Sequence, residues 1–256
     1  MDCPPVVIIG GFLATRRHYW EMQPALEKLV RQKVYVVPTT RLDWVLATRS
    51  FGWGRILRKL DRTVRKVLAR TGAEKVVLVG HSTGGVVGRL FLSPEPFRGR
   101  VYAGTELVRA LVTLGSPHRN DRGLAMRRWI DQTYPGAYFA PAVRYASVAG
   151  KALFGDLNGK SRDRAAYRSY EYLCGQGDVW GDAVVPLCSA LLDGSVHIVL
   201  DGVYHSAKRG RPWYGNTRVV RQWWETARQC VSDEESGYLF SSSVTHAEIP
   251  KSPPSA

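Results

Sequence analysis

Val76-Val77-Leu78-Val79-Gly80-His81-Ser82-Thr83-Gly84-Gly85 is a β-branched apolar run that breaks straight into a serine flanked by glycines. Val86-Val87-Gly88-Arg89-Leu90-Phe91-Leu92 follows with the spacing of a buried helix. Together they read as a nucleophile elbow, in which the chain leaves a strand, turns sharply and starts a helix with the serine hydroxyl exposed at the apex. Gly80 and Gly84 mark the positions where a Cβ would collide with the neighbouring strand or helix. The bare Gly-x-Ser-x-Gly spacing arises by chance in roughly one chain in ten of this length. The strand before it and the helix after it carry the weight. The competing interpretation makes Ser82 or Thr83 a plain helix N-cap.

On either side, apolar runs alternate with helical patterns. Val6–Ile9 precedes a helix near 19–32, Val34–Val37 precedes one near 55–71, and Val76–Val79 precedes one near 83–92. Ala110–Leu114 reads as a fourth strand, Tyr170–Leu173 as a fifth, Val196–Leu200 as a sixth, and a last helix fits 217–229. This order predicts an α/β fold, a mostly parallel six-stranded sheet flanked by helices, with reactive residues in loops beyond the carboxyl ends of the strands. Residues 119–165 break the rhythm. Aromatic and arginine-rich, they are expected to form a lid-like insertion after the fourth strand, with Trp129, Tyr134 and Phe139 lining the substrate path. The chain is expected to be one domain over 1–230, followed by a disordered tail over 231–256, where it turns rich in Ser, Glu and Pro.

The 256 residues carry a formal charge of +14. Much of it falls on the 55–71 helix, where Arg55, Arg58, Lys59, Arg62, Arg65, Lys66 and Arg70 face away from an apolar stripe of Ile56, Leu60, Val64, Val67 and Leu68. That face suits an anionic membrane surface; nucleic acid is disfavoured as a partner because no recognised binding motif accompanies the charge. The four cysteines, Cys3, Cys174, Cys188 and Cys230, show no zinc spacing and no disulfide framework, so no metal and no cofactor are expected; a Cys174–Cys188 bridge stays open. No signal peptide or membrane-spanning run is visible, which points to a soluble protein in a reducing compartment, peripheral to membranes at most.

A serine needs a base, and the base needs a carboxylate to fix its tautomer. Among six histidines, His205 follows the last strand in Gly202-Val203-Tyr204-His205-Ser206 and can swing over the elbow, with His118 as its rival. The acid should come earlier, and spacing alone does not separate Asp178 from Asp182.

With these motifs in order, the chain resembles an α/β-hydrolase of the lipase/esterase type over residues 6–229. The resemblance rests on Gly-Gly-Phe at 10–12, Gly-His-Ser-Thr-Gly-Gly at 80–85, Thr-Leu-Gly-Ser-Pro-His at 113–118, Gly-Asp-Ala-Val-Val-Pro at 181–186 and Tyr-His-Ser at 204–206. It implies that Asp182, before x-Val-Val-Pro, is the acid of a Ser82–Asp182–His205 triad, and that the amides of Phe12 and Thr83 form the oxyanion hole. Such lipases usually carry His-Gly after the first strand. Gly10-Gly11 stands there instead, which puts the support of that loop in question. The activity implied is hydrolysis of carboxylic esters, with lipid acyl esters favoured by the 119–165 segment. An acyltransferase using the same residues and a catalytically weak binding protein of the same fold are the alternatives. Oligomeric state is not legible.

Overall fold

The computed structural model describes residues 3–208 and 210–231. In chain order the elements begin β1 (Val6–Ile9), α1 (Met22–Val30), β2 (Tyr35–Val36), α2 (Arg41–Leu46), α3 (Ser50–Thr71), β3 (Val76–His81) and α4 (Thr83–Leu92). They continue with β4 (Val108–Leu114), α5 (Ala125–Thr133), β5 (Arg144–Lys151), β6 (Leu153–Phe154), α6 (Ser161–Cys174), β7 (Trp180–Gly181), α7 (Leu187–Ala190), β8 (Val196–Asp201) and α8 (Thr217–Val231).

Six strands form one parallel sheet in the order β2-β1-β3-β4-β5-β8. The strands alternate between two apolar layers. Val7 and Ile9 face a core filled by Trp44 of α2, Ile56, Leu60 and Val64 of α3, and Val86, Leu90 and Phe91 of α4. Val6 and Ile8 face the opposite core, closed by Met22 and Leu26 of α1 and by Val220, Trp223 and Trp224 of α8. Chain direction across the sheet reverses between β1, which steps outward to β2, and β3, which steps the other way to β4. Loops leaving such a switch point part to opposite faces and open a crevice between them. Here the loops are Gly10–Phe12 and the Ser82 turn.

Two expectations are corrected. The fifth strand is β5, Arg144–Lys151, inside the stretch read as an insertion; Tyr170–Leu173 is the last turn of α6, which ends on Gly175 in the left-handed region at φ 77°. The 119–165 segment is therefore not a single lid: α5 packs Met126 and Ile130 into the core, and a sheet strand follows. The long excursion instead lies between β5 and β8, where β6, α6, β7 and α7 carry the acid loop. The tail beyond Val231 lies outside the described residues.

The basic face of α3 is partly neutralised by its own chain. The wholly buried Asp43 takes Arg55 at 2.5 Å and Lys59 at 2.6 Å, and Asp61 takes Arg65 at 2.7 Å and Arg100 at 2.9 Å. Those cations hold the Asp43 carboxyl below the usual carboxylate range despite its burial. Arg58, Arg62, Lys66 and Arg70 remain exposed. Among the described residues, no helix is long and apolar enough to cross a membrane.

Candidate active site

Ser82 sits at the N-cap of α4 with φ 53° and ψ −129°, a conformation that costs a non-glycine residue on the order of 1–3 kcal/mol. Its surroundings impose that turn. A Cβ on Gly80 would lie 2.5 Å from the Gly85 Cα, and one on Gly84 would lie 2.3 Å from the Ile9 carbonyl oxygen, so strand and helix approach more closely than any side chain allows. The Ser82 amide donates to the Leu114 carbonyl at 2.9 Å, which fastens the turn to the end of β4.

Around this hydroxyl the structure brings together residues from three loops. His205 Nε2 lies 3.0 Å from Ser82 Oγ, and His205 Nδ1 lies 2.7 Å from Asp182 Oδ2. Asp182 is fully buried, and hydrogen bonds meet both oxygens of its carboxylate. Oδ1 accepts the Val184 and Val185 amides at 3.0 and 2.7 Å, while Oδ2 accepts the Tyr214 hydroxyl at 2.8 Å beside the imidazole. The Asp182 carbonyl in turn accepts the His205 amide at 2.9 Å, so acid and base are joined through main chain as well as side chain. Asp178 is exposed and makes none of these contacts. His118 is buried elsewhere, its Nε2 3.0 Å from Thr113 Oγ1 and its Nδ1 3.4 Å from Arg89, with burial and that cation pushing its pKa well down.

An open cleft of about 550 Å³ exposes Ser82 and His205, lined by Gly11, Phe12, Leu13, Arg17, Trp20 and Trp213 among others. Phe12 forms its rim at 44% exposure, and Trp20 stands 72% exposed beside it. Thr83, the first residue of α4, has an amide with no intrahelical acceptor, as at any helix start; its buried hydroxyl accepts Arg127 Nη2 of α5 at 2.8 Å. Trp129, Tyr134 and Phe139 do not line the cleft, which corrects the expectation that they do. They stack with Phe97 and Tyr138 at ring separations of 5.0–6.3 Å against the core, and Tyr134 is further tied to Ser93 by a 2.8 Å hydroxyl contact.

Three polar residues escaped the sequence reading as parts of the site. Tyr214 is wholly buried between Asp182 and the Gly150 amide, which donates to its oxygen at 2.7 Å. Tyr19 and His81 form a second buried pair, Tyr19 Oη lying 2.9 Å from His81 Nδ1. His81 points its Nε2 at the His205 carbonyl, 2.9 Å away. Cys174 and Cys188, which bracket the acid loop, are free thiols with sulfurs 2.8 Å apart.

A hydroxyl aligned with an imidazole that is itself aligned with a buried carboxylate can be deprotonated as it attacks a carbonyl carbon. Comparison with known proteins gives the family of the fold and two partial relatives. The profile of the alpha/beta hydrolase fold family matches residues 4–148. A triacylglycerol lipase of Pseudarthrobacter phenanthrenivorans is 43% identical over 120 residues, 45% of this chain and 33% of the lipase. One from Burkholderia plantarii is also 43% identical over 120 residues, covering 45% of this chain and 30% of its own length. The chain thus spans about a third of the length of these curated relatives. Among solved structures, the mature Bacillus licheniformis lipase BlEst2 superposes with a TM-score of 0.59 at 15% identity over 90% of this chain and 93% of its own. The lin2722 gene product of Listeria innocua follows at 0.54 and 16% identity, over 91% and 97%.

Proposed function

We propose, from the premise that the chain belongs to the α/β-hydrolase fold family, that it hydrolyses carboxylic esters through an acyl-enzyme on Ser82. The observation that carries this reading is the continuous alignment of Ser82 Oγ, His205 and Asp182 at 3.0 and 2.7 Å, with the hydroxyl facing an open cleft.

In the acylation step Ser82 Oγ attacks the ester carbonyl while His205 Nε2 takes its proton. Asp182, unable to reach water, holds the Nδ1–H tautomer and stabilises the imidazolium. The carbonyl oxygen, now negative, is met by the Phe12 and Thr83 amides; each such donor typically contributes about 3–4 kcal/mol to the transition state. His205 then protonates the departing alcohol, and a water activated by the same imidazole releases the acid.

Lipid acyl esters are the substrate class we favour. The curated relatives are triacylglycerol lipases, and the cleft mouth presents Phe12, Leu13 and Trp20 to solvent beside Arg17, an apolar rim with a cation that suits an acyl chain at an anionic surface. The chain acts as one hydrolase unit, with the acid loop carried on the excursion between β5 and β8. The test is turnover of p-nitrophenyl esters of graded length and of emulsified triacylglycerol by the wild type and by Ser82→Ala. Loss of at least about a thousandfold in the variant is expected, and undiminished activity would refute the reading. Product analysis with an added alcohol separates hydrolysis from acyl transfer.

A further inference from the structure

A loop that aims a main-chain amide at an oxyanion must have its peptide planes fixed, because rotation of one peptide turns the N–H away. In this chain the residue that usually supports the loop is glycine, Gly10, and the structure shows what excludes a side chain there: a Cβ at Gly10 would lie 2.9 Å from both Cε2 and the hydroxyl oxygen of Tyr19. The Tyr19 ring is buried and hydrogen-bonded, so it has no room to give.

The hydrogen bonds around Tyr19 have only one consistent direction. His81 Nε2 faces the His205 carbonyl at 2.9 Å and must donate, because a carbonyl only accepts. His81 Nδ1 is then a lone pair and accepts the Tyr19 O–H at 2.9 Å, and the Tyr19 oxygen accepts the Gly11 N–H at 3.1 Å. The Gly11 carbonyl accepts the Ala14 amide at 3.0 Å. Peptide planarity makes the Phe12 N–H antiparallel to that carbonyl, so holding the Gly11–Phe12 peptide by its carbonyl and the preceding Gly10–Gly11 peptide by its N–H sets the direction of the Phe12 amide.

We propose that Tyr19 and His81 are positioning residues for the ester-cleaving site: the chain Gly11–Tyr19–His81–His205 locks the oxyanion loop, the residue before the nucleophile and the main chain of the base into one register. The proposal rests on the hydrolase reading above. Three loops that leave three different strands, β1, β3 and β8, are joined by two side chains. The lock requires a neutral imidazole at His81. Burial, reinforced by repulsion from His205 and His18 and only partly opposed by Asp182, lowers its pKa to about 3, so the tautomer persists across the working range of a hydrolase.

Tyr19→Phe keeps the ring and removes only the oxygen. The expected result is a kcat for p-nitrophenyl butyrate about 10- to 100-fold below wild type, less than the hundred- to thousandfold typical of deleting an oxyanion donor, because the amide is loosened and not lost. KM should move less than about threefold, and affinity for an arylboronic acid that forms a tetrahedral adduct on Ser82 should fall by the same factor as kcat. His81→Gln, which can still accept and donate, should retain more activity than His81→Leu. In the wild type, imidazole 15N shifts should show the Nε2–H tautomer of His81 down to about pH 4. A Tyr19→Phe enzyme with wild-type kcat, or with its loss confined to KM or to thermal stability with boronate affinity intact, overturns the proposal while leaving the hydrolase reading standing. Full activity in Ser82→Ala overturns that reading instead, and the positioning role with it.

Discussion

Acidification from pH 7.5 to 5.0 tests the placement of His81 and His118 in the folded chain. Both are buried and held neutral, His81 with a pKa of about 3 and His118 well below the ordinary histidine value. In the unfolded chain each titrates near 6.5. Below that pH the unfolded state binds a proton that the folded state refuses, so stability falls as pH falls, starting at about 6.5 and continuing until the folded pKa is reached. At one pKa unit per 1.36 kcal/mol, His81 removes about 2 kcal/mol by pH 5.0, and His118 acts in the same direction. Asp131, whose pKa is raised by burial, acts with the opposite sign, so the decisive quantity is a difference between proteins. Urea unfolding at the two pH values should give a smaller loss in His118→Gln than in the wild type, whatever the variant's stability at pH 7.5. Equal losses in the two proteins would refute the claim that His118 is buried uncharged.

Two substitutions test how the site is framed. Tyr214→Phe removes a donor from the Asp182 carboxylate and strands the Gly150 amide, so it should lower stability by about 2–4 kcal/mol and Tm by roughly 6–12 °C, seen by calorimetry; an unchanged Tm would show that the hydroxyl is dispensable. Gly84→Ala would press a Cβ to 2.3 Å from the Ile9 carbonyl and 2.6 Å from that of Gly10, backbone atoms at the root of the oxyanion loop. It should destabilise by about 1–3 kcal/mol and depress kcat disproportionately, and a variant with normal ester turnover would refute so tight an approach.

Three of the strands readable in the sequence, β1, β3 and β4, are nearly continuous apolar runs, because a strand buried on both faces leaves no polar side to interrupt it, and the edge strands β2 and β8 showed as shorter or broken runs. β5 was hidden by the closeness of its neighbours. Its Ser147 bonds Ser195, and a Cβ at Gly150 would meet the Val203 carbonyl at 2.1 Å, so tight packing selects Ala, Ser and Gly where propensity looks for Val and Ile. Tyr170–Leu173 imitated a strand because Tyr-Glu-Tyr-Leu alternates. Its first tyrosine is in fact a helix residue whose buried hydroxyl receives the Ala183 amide at 2.8 Å. The Ser82, Asp182 and His205 positions could be picked out because each lies in a local motif. Tyr19 and Tyr214 could not, since each acts on a residue far along the chain, His81 and Asp182, through an oxygen that no neighbouring residue announces.

The pairing of β5 with β8, Ala146 opposite Val196, divides the chemistry along the chain. Phe12 and Ser82 lie on loops that leave β1 and β3, whereas Asp182 and His205 arrive only with the excursion and the final strand. Contacts between segments so far apart in sequence form late, and a chain growing from its N-terminus folds its first half first. A nascent or half-folded chain therefore presents an elbow with no base beside it, and its serine is no more reactive than any other surface alcohol. On the proposed reading the three side chains meet only once β8 has joined the sheet, so the reactivity of Ser82 would arrive with the completion of the fold and not before it.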